Sequence, residues 1–406
     1  MFNFNVIYFL FFLFTSIFAF SQYSSWDEQF LFYYVILAGL FFFSFSITYS
    51  FFRSRSLFLN HCNVKTVPSS RILVRYAFIL FCVSQIYYSN YLYVFLTGGP
   101  VNDYLSHRIA VRGMVNRYLA PLGFSSFMLS VGYLLWAISE EHSNKDERKG
   151  YIRVKKLIMY LFLFVSIVFI EISVSGSRSE VLIVLCVIVL FLFKYRMIKY
   201  KSIIALVLLI MPLLGFVSYL RVSANPNRLA WYMTNQVISA HDSPLIIAFS
   251  MIMLTFKGIG ERTVLIVEGV LNGMIPHQYG YASFFYLFSM MPGEQMRPTV
   301  WLNHNVFYGA NLNAGYPPTI IAQLLWDFGV IGIPIIGLIL GSIGGILFKN
   351  YKKNVSPAWV IAYALFVGQC FLSLYGEFRI GWLMINVFII VFIDLYVRGI
   401  YKFKGL

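Results

Sequence analysis

Charge is what this chain has least of: Asp, Glu, Lys and Arg together make 12% of its 406 residues, about half the share found in soluble domains. An ordinary water-soluble fold is thereby excluded. Cysteine is scarce as well. Cys62 falls in a polar stretch, and Cys82, Cys186 and Cys370 fall singly in apolar runs, so neither a disulfide framework nor a zinc-ligand spacing is present. Several motifs are missing outright. The lack of Asp-x-Asp argues against the metal and nucleotide-sugar site of soluble-type glycosyltransferases. The lack of a Gly-x-Ser-x-Gly elbow and a His-Glu-x-x-His helix argues against the hydrolases built on them. With no Walker lysine loop and no GxGxxG cradle, the chain carries no ATP-driven engine of its own.

Apolar side chains fill the space instead. Hydrophobic residues make 59% of the chain and aromatics 19%, in recurring runs of roughly 17 to 24 residues, each able to cross a hydrocarbon core of about 30 Å as a helix. Ten spans are expected, at 5–21, 30–52, 73–96, 118–138, 157–174, 180–193, 202–220, 329–348, 357–375 and 381–397. The fold class is therefore an all-α polytopic membrane protein with about ten transmembrane helices. The first run lacks a basic n-region and reads as a retained helix; cleavage at the faint small-x-small site Ala19-Phe20-Ser21 would leave the remaining topology unchanged.

Basic residues orient the bundle. With both termini and the loops near 53–75, 139–156, 194–201 and 349–353 in the cytoplasm, 21 of the 31 Lys and Arg lie inside, as the positive-inside rule requires. Acidic residues run the other way, about 5 inside and 11 outside. The net charge of +15 is then a consequence of topology, which removes nucleic acid as an expected partner.

Residues 1–220 thus hold spans one to seven, 221–328 form one large external loop, and 329–406 hold spans eight to ten. A loop on the order of a hundred residues is too long to be a plain connector. Its apolar patches at 245–256, 264–275 and 282–291 are too short to span and read as interfacial or re-entrant helices; alternatively, two of them pair as a hairpin and raise the count to twelve. A second external stretch, "TGGPVNDYLSHRIAVRGMVNR", fills 97–117. In the eighth span Gly337, Gly341 and Gly345 recur every fourth residue, a ridge that permits close helix packing.

The external basic residues differ in kind from the internal ones. Nine of ten are arginine, namely Arg108, Arg112, Arg117, Arg178, Arg221, Arg228, Arg262, Arg297 and Arg379, with Lys257 the tenth; the internal set is 13 Lys and 8 Arg. A planar fork that donates two parallel hydrogen bonds suits phosphate and carboxylate oxygens, so the bias points to an anionic ligand outside. Pairing with the external carboxylates or with lipid headgroups is the simpler account. Arg178, in "SVSGSRSEV", stands 16 residues before Lys194 and 22 after Lys156, about 24 Å and 33 Å of helix. It therefore lies at the outer interface, where an arginine needs a partner; Glu171 or Glu180 could serve, and a purely structural Arg178–Glu171 pair is one reading. His304, between amides in "WLNHNVFYG", is a candidate general base or hydroxyl donor. His241, His277, Asp242, Glu268 and Glu294 are lesser candidates. Trp231, Tyr279, Tyr281, Trp301, Tyr308 and Tyr316 suit stacking on sugar rings and an interfacial belt equally.

The "GSRSE" turn, the "TGGPVNDYLSHRIAVRG" segment and above all "GYPPTIIAQLLWDFGVIGI" at 315–333 resemble the oligosaccharide repeat-unit polymerases, the Wzy class of O-antigen polymerases. The likeness covers almost the whole chain in plan. Where that family often has a glutamate before the "DFG-x-x-G" stretch, this chain has Gln323, which speaks against an acid at that position. Asn303 and His304 also resemble the histidine region of O-antigen ligases. The resemblance implies a GT-C-like bundle in a bacterial inner membrane, with the large loop in the periplasm. It implies two undecaprenyl-pyrophosphate-linked glycans as substrates, a chain-length regulator as partner, and neither metal nor other cofactor. Arg178, His304 and Glu180 would then be the catalytic candidates, with Arg221, Arg262, Arg297, Arg379, Arg108 and Arg112 around the pyrophosphate. An O-antigen ligase shares these features; a lipid-linked oligosaccharide flippase and a structural membrane component are the alternatives from other classes.

Overall fold

The computed structural model describes residues 4–21, 28–54, 69–97, 114–143, 147–175, 178–194, 262–291, 298–306, 318–353, 356–374 and 378–404, together with positions 246 and 250. All elements among the described residues are helices. In chain order they are α1 (Phe4–Ser21), α2 (Glu28–Ser54), α3 (Ser70–Thr97), α4 (Met114–Ser143), α5 (Glu147–Ser175), α6 (Arg178–Lys194), α7 (262–271), α8 (Tyr281–Phe288), α9 (Pro298–Asn305), α10 (Ile320–Lys353), α11 (Pro357–Leu372) and α12 (Ile380–Lys404). Among the described residues, five stretches are long and apolar enough to cross a membrane: Gln29–Ser54, Ser70–Ser89, Leu119–Glu141, Ile320–Lys353 and Ile380–Arg398. Shorter apolar helices occupy Leu182–Lys194 and Pro357–Leu372. The chain is a polytopic helical membrane protein.

The helices overrun the apolar runs. Residues 118–138 were expected to span, and α4 continues to Met114 on one side and Ser143 on the other. Hydropathy marks only the stretch that lies in hydrocarbon, whereas backbone hydrogen bonding carries the helix into the polar interface. The expected span at 202–220 lies outside the described residues, as do the external segment at 98–113 and the patch at 245–256, apart from two positions. The patches at 264–275 and 282–291 form α7 and α8. At 1.5 Å per residue α8 reaches about 12 Å, short of the roughly 30 Å core.

The chain divides into two compact units. The first comprises Met1–Asn63, Met253–Asn354 and Phe366–Met384. Its centre is the parallel pair α2 and α10, which meet backbone to backbone along the glycine ridge. A Cβ at Gly337 would lie 2.9 Å from the Phe41 carbonyl oxygen and one at Gly345 2.7 Å from that of Tyr49; at Gly341 it would collide with the Phe45 carbonyl. Contacts advance by four residues on both helices, so the ridge sets their register. Thr48 adds a polar tie, donating from Oγ1 to the Leu338 carbonyl at 2.9 Å. Around this seam sits an aromatic core in which the Phe45 ring stacks on Tyr49 at 5.9 Å and on Phe366 at 6.4 Å. Phe4 and Tyr8 of α1 stack on each other at 5.5 Å, and the Tyr8 hydroxyl shares a hydrogen bond with Ser373 Oγ at 3.1 Å.

The second unit comprises Val64–Ile252, Val355–Leu365 and Ile385–Leu406. Here α4 is the hub, with every residue from Gly123 to Ile138 buried. Gly123 lets α3 approach until Tyr87 Cβ would meet an added Cβ at 2.5 Å, and Gly132 faces Ile361 at 2.9 Å. Polar side chains fix the register: Ser125 donates to Asn386 Oδ1 at 2.9 Å. Asp394 accepts from Tyr133 at 3.0 Å and Ser356 at 2.6 Å and pairs with Arg398 at 2.5 Å.

The α2–α10 seam yields a direct test. Gly341→Leu forces a side chain into the Phe45 backbone and should destabilise the fold by about 1–3 kcal/mol or more, seen as a lower melting temperature and reduced monodisperse yield in detergent. Gly39→Ala, on α2 where an added Cβ meets nothing within 4 Å, should melt at or slightly above the native temperature. Equal melting of the two variants would contradict the ridge.

Candidate functional site

The first nine residues of α10, Ile320–Phe328, are set off from the remainder at Gly329, whose φ of 68° and ψ of −172° belong to a backbone region open essentially to glycine alone. The expected eighth span begins at this break, and the helix ahead of it is a separate segment. Every residue from Pro318 to Asp327 is buried. Its sequence is apolar except at Thr319, Gln323 and Asp327, which follow one another every four residues and so form one stripe.

Each stripe residue is satisfied by a different distant segment. Thr319 Oγ1 accepts from Thr263 Oγ1 of α7 at 3.3 Å. Gln323 grips the backbone of Phe378 on both sides, accepting its N–H on Oε1 at 2.8 Å and donating from Nε2 to its carbonyl at 3.0 Å. Nε2 also lies 3.2 Å from Ser283 Oγ, and that hydroxyl donates to Asp327 Oδ2. Asp327 completes the set as a cap for α8. Its N-cap residue is Gly280, in the left-handed conformation at φ 89°, with no side chain to offer. The Asp327 carboxylate stands in, accepting from the N–H of Ala282 at 3.0 Å and of Ser283 at 2.7 Å, where a negative charge also complements the helix dipole. With both oxygens engaged, Asp327 is a structural anchor and not a general base.

Trp326 binds the turn before α8 to the same segment. Its Nε1 donates to the Pro276 carbonyl at 3.1 Å, and its own carbonyl accepts from Gln278 N at 3.0 Å and lies 3.3 Å from His277 Nδ1. Trp301 of α9 stacks beside its ring at 6.3 Å. Tyr279 protrudes from this turn, 87% exposed and at φ 49°, a strained conformation for a bulky residue. Of the three described aromatics expected on the outer side, it is the one that presents its ring, since Trp301 is laid against Trp326 and Tyr281 against Phe285 and Phe288.

The stripe brings two of the expected arginines into one frame. Arg262 precedes Thr263, and Arg379 follows Phe378; both arginines are half-buried. Thr319 and Gln323 are one helical turn apart, so residues 117 positions apart in the chain are tethered, through their neighbours, to adjacent turns of one buried helix. Arg178 belongs to the second unit. It is the first residue of α6, two residues ahead of the expected span. The side chains of Arg178 and Glu180 lie outside the described part, as does an Arg178–Glu171 pair; Glu171 itself is buried and accepts from Gln85 Nε2 at 3.4 Å. His304 is in α9, its side chain likewise outside. Arg108, Arg112, Arg221, Arg297, Arg228, Lys257, His241, Asp242 and Glu294 fall outside the described residues. Among those described, no group of three His, Cys, Asp or Glu side chains could hold a metal ion.

Sequence reasoning weighed Gln323 only as a missing acid and passed over Ser283, Asp327 and Phe378. The available signal was the four-residue spacing of polar side chains in "TIIAQLLWD". No family model, curated protein or solved structure matches this chain.

The amide lock is specific to glutamine. Gln323→Glu keeps the acceptor toward Phe378 N–H but loses both Nε2 donations and sets a carboxylate against a carbonyl oxygen. A loss of about 1–3 kcal/mol is expected from the stranded acceptor, and more with the charge. Asp327→Asn, which turns an amide nitrogen toward one of the α8 donors, should cost a similar amount. Thermal unfolding in detergent measures both; native-like melting of Gln323→Glu would contradict the lock.

Proposed function

We propose that this protein is a polymerase that joins undecaprenyl-pyrophosphate-linked oligosaccharide repeat units at the periplasmic face of a bacterial inner membrane. The observation that carries the reading is the tethering of Arg262 and Arg379 to neighbouring turns of the buried 319–327 segment. Two arginines with anchored backbone neighbours, on the side of the bundle that the charge distribution assigns to the periplasm, suit a pyrophosphate, whose oxygens accept the planar forks. The prenyl tail of such a substrate stays in the bilayer while its glycan projects outward. In this reading the bundle has about ten spans in a GT-C-like plan, with both termini in the cytoplasm.

The chemistry follows from the substrate. A hydroxyl oxygen at the nonreducing end of a new repeat unit attacks the anomeric carbon of the growing chain. The bond from that carbon to the pyrophosphate oxygen breaks, and undecaprenyl pyrophosphate leaves with the electron pair. The hydroxyl proton passes to a base, for which His304 and Glu180 are the candidates; arginine stays protonated and cannot serve. Negative charge grows on the departing pyrophosphate, so preorganised arginines favour the transition state over the ground state. Arg262 and Arg379 are the donors proposed from the first unit, and Arg178 keeps the role expected from its depth at the outer interface. The exposed ring of Tyr279 offers a stacking surface for a sugar.

A strain lacking the gene and complemented with single variants at matched membrane levels provides the test. Removing one such donor should slow transfer by about 10²–10³-fold. Arg379→Lys, Arg262→Lys and Arg178→Lys, which keep charge and lose the fork, should each shift surface glycan from a ladder of lengths toward single capped units. A native ladder from all three variants would sink the reading. Uncapped lipid cores in the deletion strain would indicate a ligase, and repeat units stranded on the cytoplasmic leaflet a flippase.

A further inference from the structure

The opposite ends of α2 and α10 carry a second constellation, independent of the glycan reading. Between their last turns, Ser50, Arg53, Ser54, Phe348 and Lys352 line a cavity of about 240 Å³, large enough for a phosphodiester. Two cations converge on one ring there: the Arg53 guanidinium carbon stands 5.0 Å from the Phe348 centroid and Lys352 Nζ 5.3 Å from it. Basic residues in a last helical turn complement the carbonyl end of the helix dipole, which explains their presence but not the cavity. None of its lining residues is acidic, and two are hydroxyl side chains.

The approach to the cavity is graded along the helix axis. On α2, Ile36, Leu40, Phe43 and Ile47 are all exposed, and their alternating spacing of four and three residues continues to Ser50 and Ser54, exposed as well. One stripe thus runs from hydrocarbon to hydroxyl. Half of a 30 Å core is about ten residues of helix, the distance from Ser50 back to Leu40. The stripe therefore matches one leaflet, acyl chain below and headgroup above. We propose that this cavity binds the phosphate headgroup of an anionic phospholipid in the leaflet that the basic residues mark as cytoplasmic. One acyl chain then lies along Leu40, Phe43 and Ile47. Basic pockets between helices at this face are suited to such headgroups.

The test is lipid retention by the full-length protein in nanodiscs of phosphatidylcholine with or without phosphatidylglycerol, followed by native mass spectrometry on delipidation. The native protein should keep one phosphatidylglycerol in preference to phosphatidylcholine. Arg53→Gln combined with Lys352→Gln should lower that retention at least roughly tenfold, the scale expected of two basic side chains at an anionic surface. Ser50→Asp, at an exposed position that leaves both cations in place, should lower it as well without loss of fold, and Arg71→Gln on α3 should not. Equal retention of the two lipids by the native protein, or unchanged retention by Ser50→Asp and the double variant, would overturn the proposal. Displacement of the lipid by millimolar inorganic phosphate would reassign the cavity to a free anion and overturn it too.

Discussion

The first unit depends on one constraint: a helix buried on every side carries three polar side chains that water cannot reach. A buried donor or acceptor left unmade costs about 1–3 kcal/mol, so Thr319, Gln323 and Asp327 must find partners within the protein. They find them in α7, in the start of α8 and in the turn before α12. The stripe thereby decides where three sequence-distant segments sit. Gly329 allows it, because only a break there lets Ile320–Phe328 leave the line of the span below.

Apolar packing and polar bonding divide the work in the same way in each unit. Glycines bring helices together, a ridge of them joining α2 to α10 in one unit and Gly123 alone admitting α3 to α4 in the other. Polar bonds then reinforce the register: Thr48 on the Leu338 carbonyl in the first unit, and the buried cluster of Tyr133 and Ser356 on Asp394, joined by Arg398, in the second. Breaking a buried charged cluster by removing one member typically costs about 3–5 kcal/mol. A scaffold held this way fixes the backbone beside Arg262 and Arg379. That fixity gives a planar guanidinium its advantage over a flexible ammonium.

Much of this architecture was legible in the sequence. Long apolar runs announce helices because nothing else satisfies a backbone in hydrocarbon, and the four-residue glycine spacing announces the α2-facing ridge of α10 though not its partner. The apolar patches at 264–275 and 282–291 were legible as helical, and both fall on helices among the described residues. The site was less so. Gln323 was noticed for the acid it is not, while its role as a two-sided amide lock requires Phe378 in space. Asp327 as a cap for α8 was hidden because a cap is normally sought next to its helix, and here it comes from 44 residues away. Polar spacing shows that partners are needed; only the fold names them.

The account's central claim is glycan transfer from a lipid-linked pyrophosphate, and the most direct measurement is elongation by the purified protein. Proteoliposomes holding this chain alone would receive a defined undecaprenyl-pyrophosphate-linked repeat unit with no nucleotide added. The account predicts a ladder of longer lipid-linked glycans, one undecaprenyl pyrophosphate released per bond formed, and collapse of the ladder in Arg379→Ala. Substrate recovered unchanged from the native protein, or equal elongation by Arg379→Ala, would contradict it.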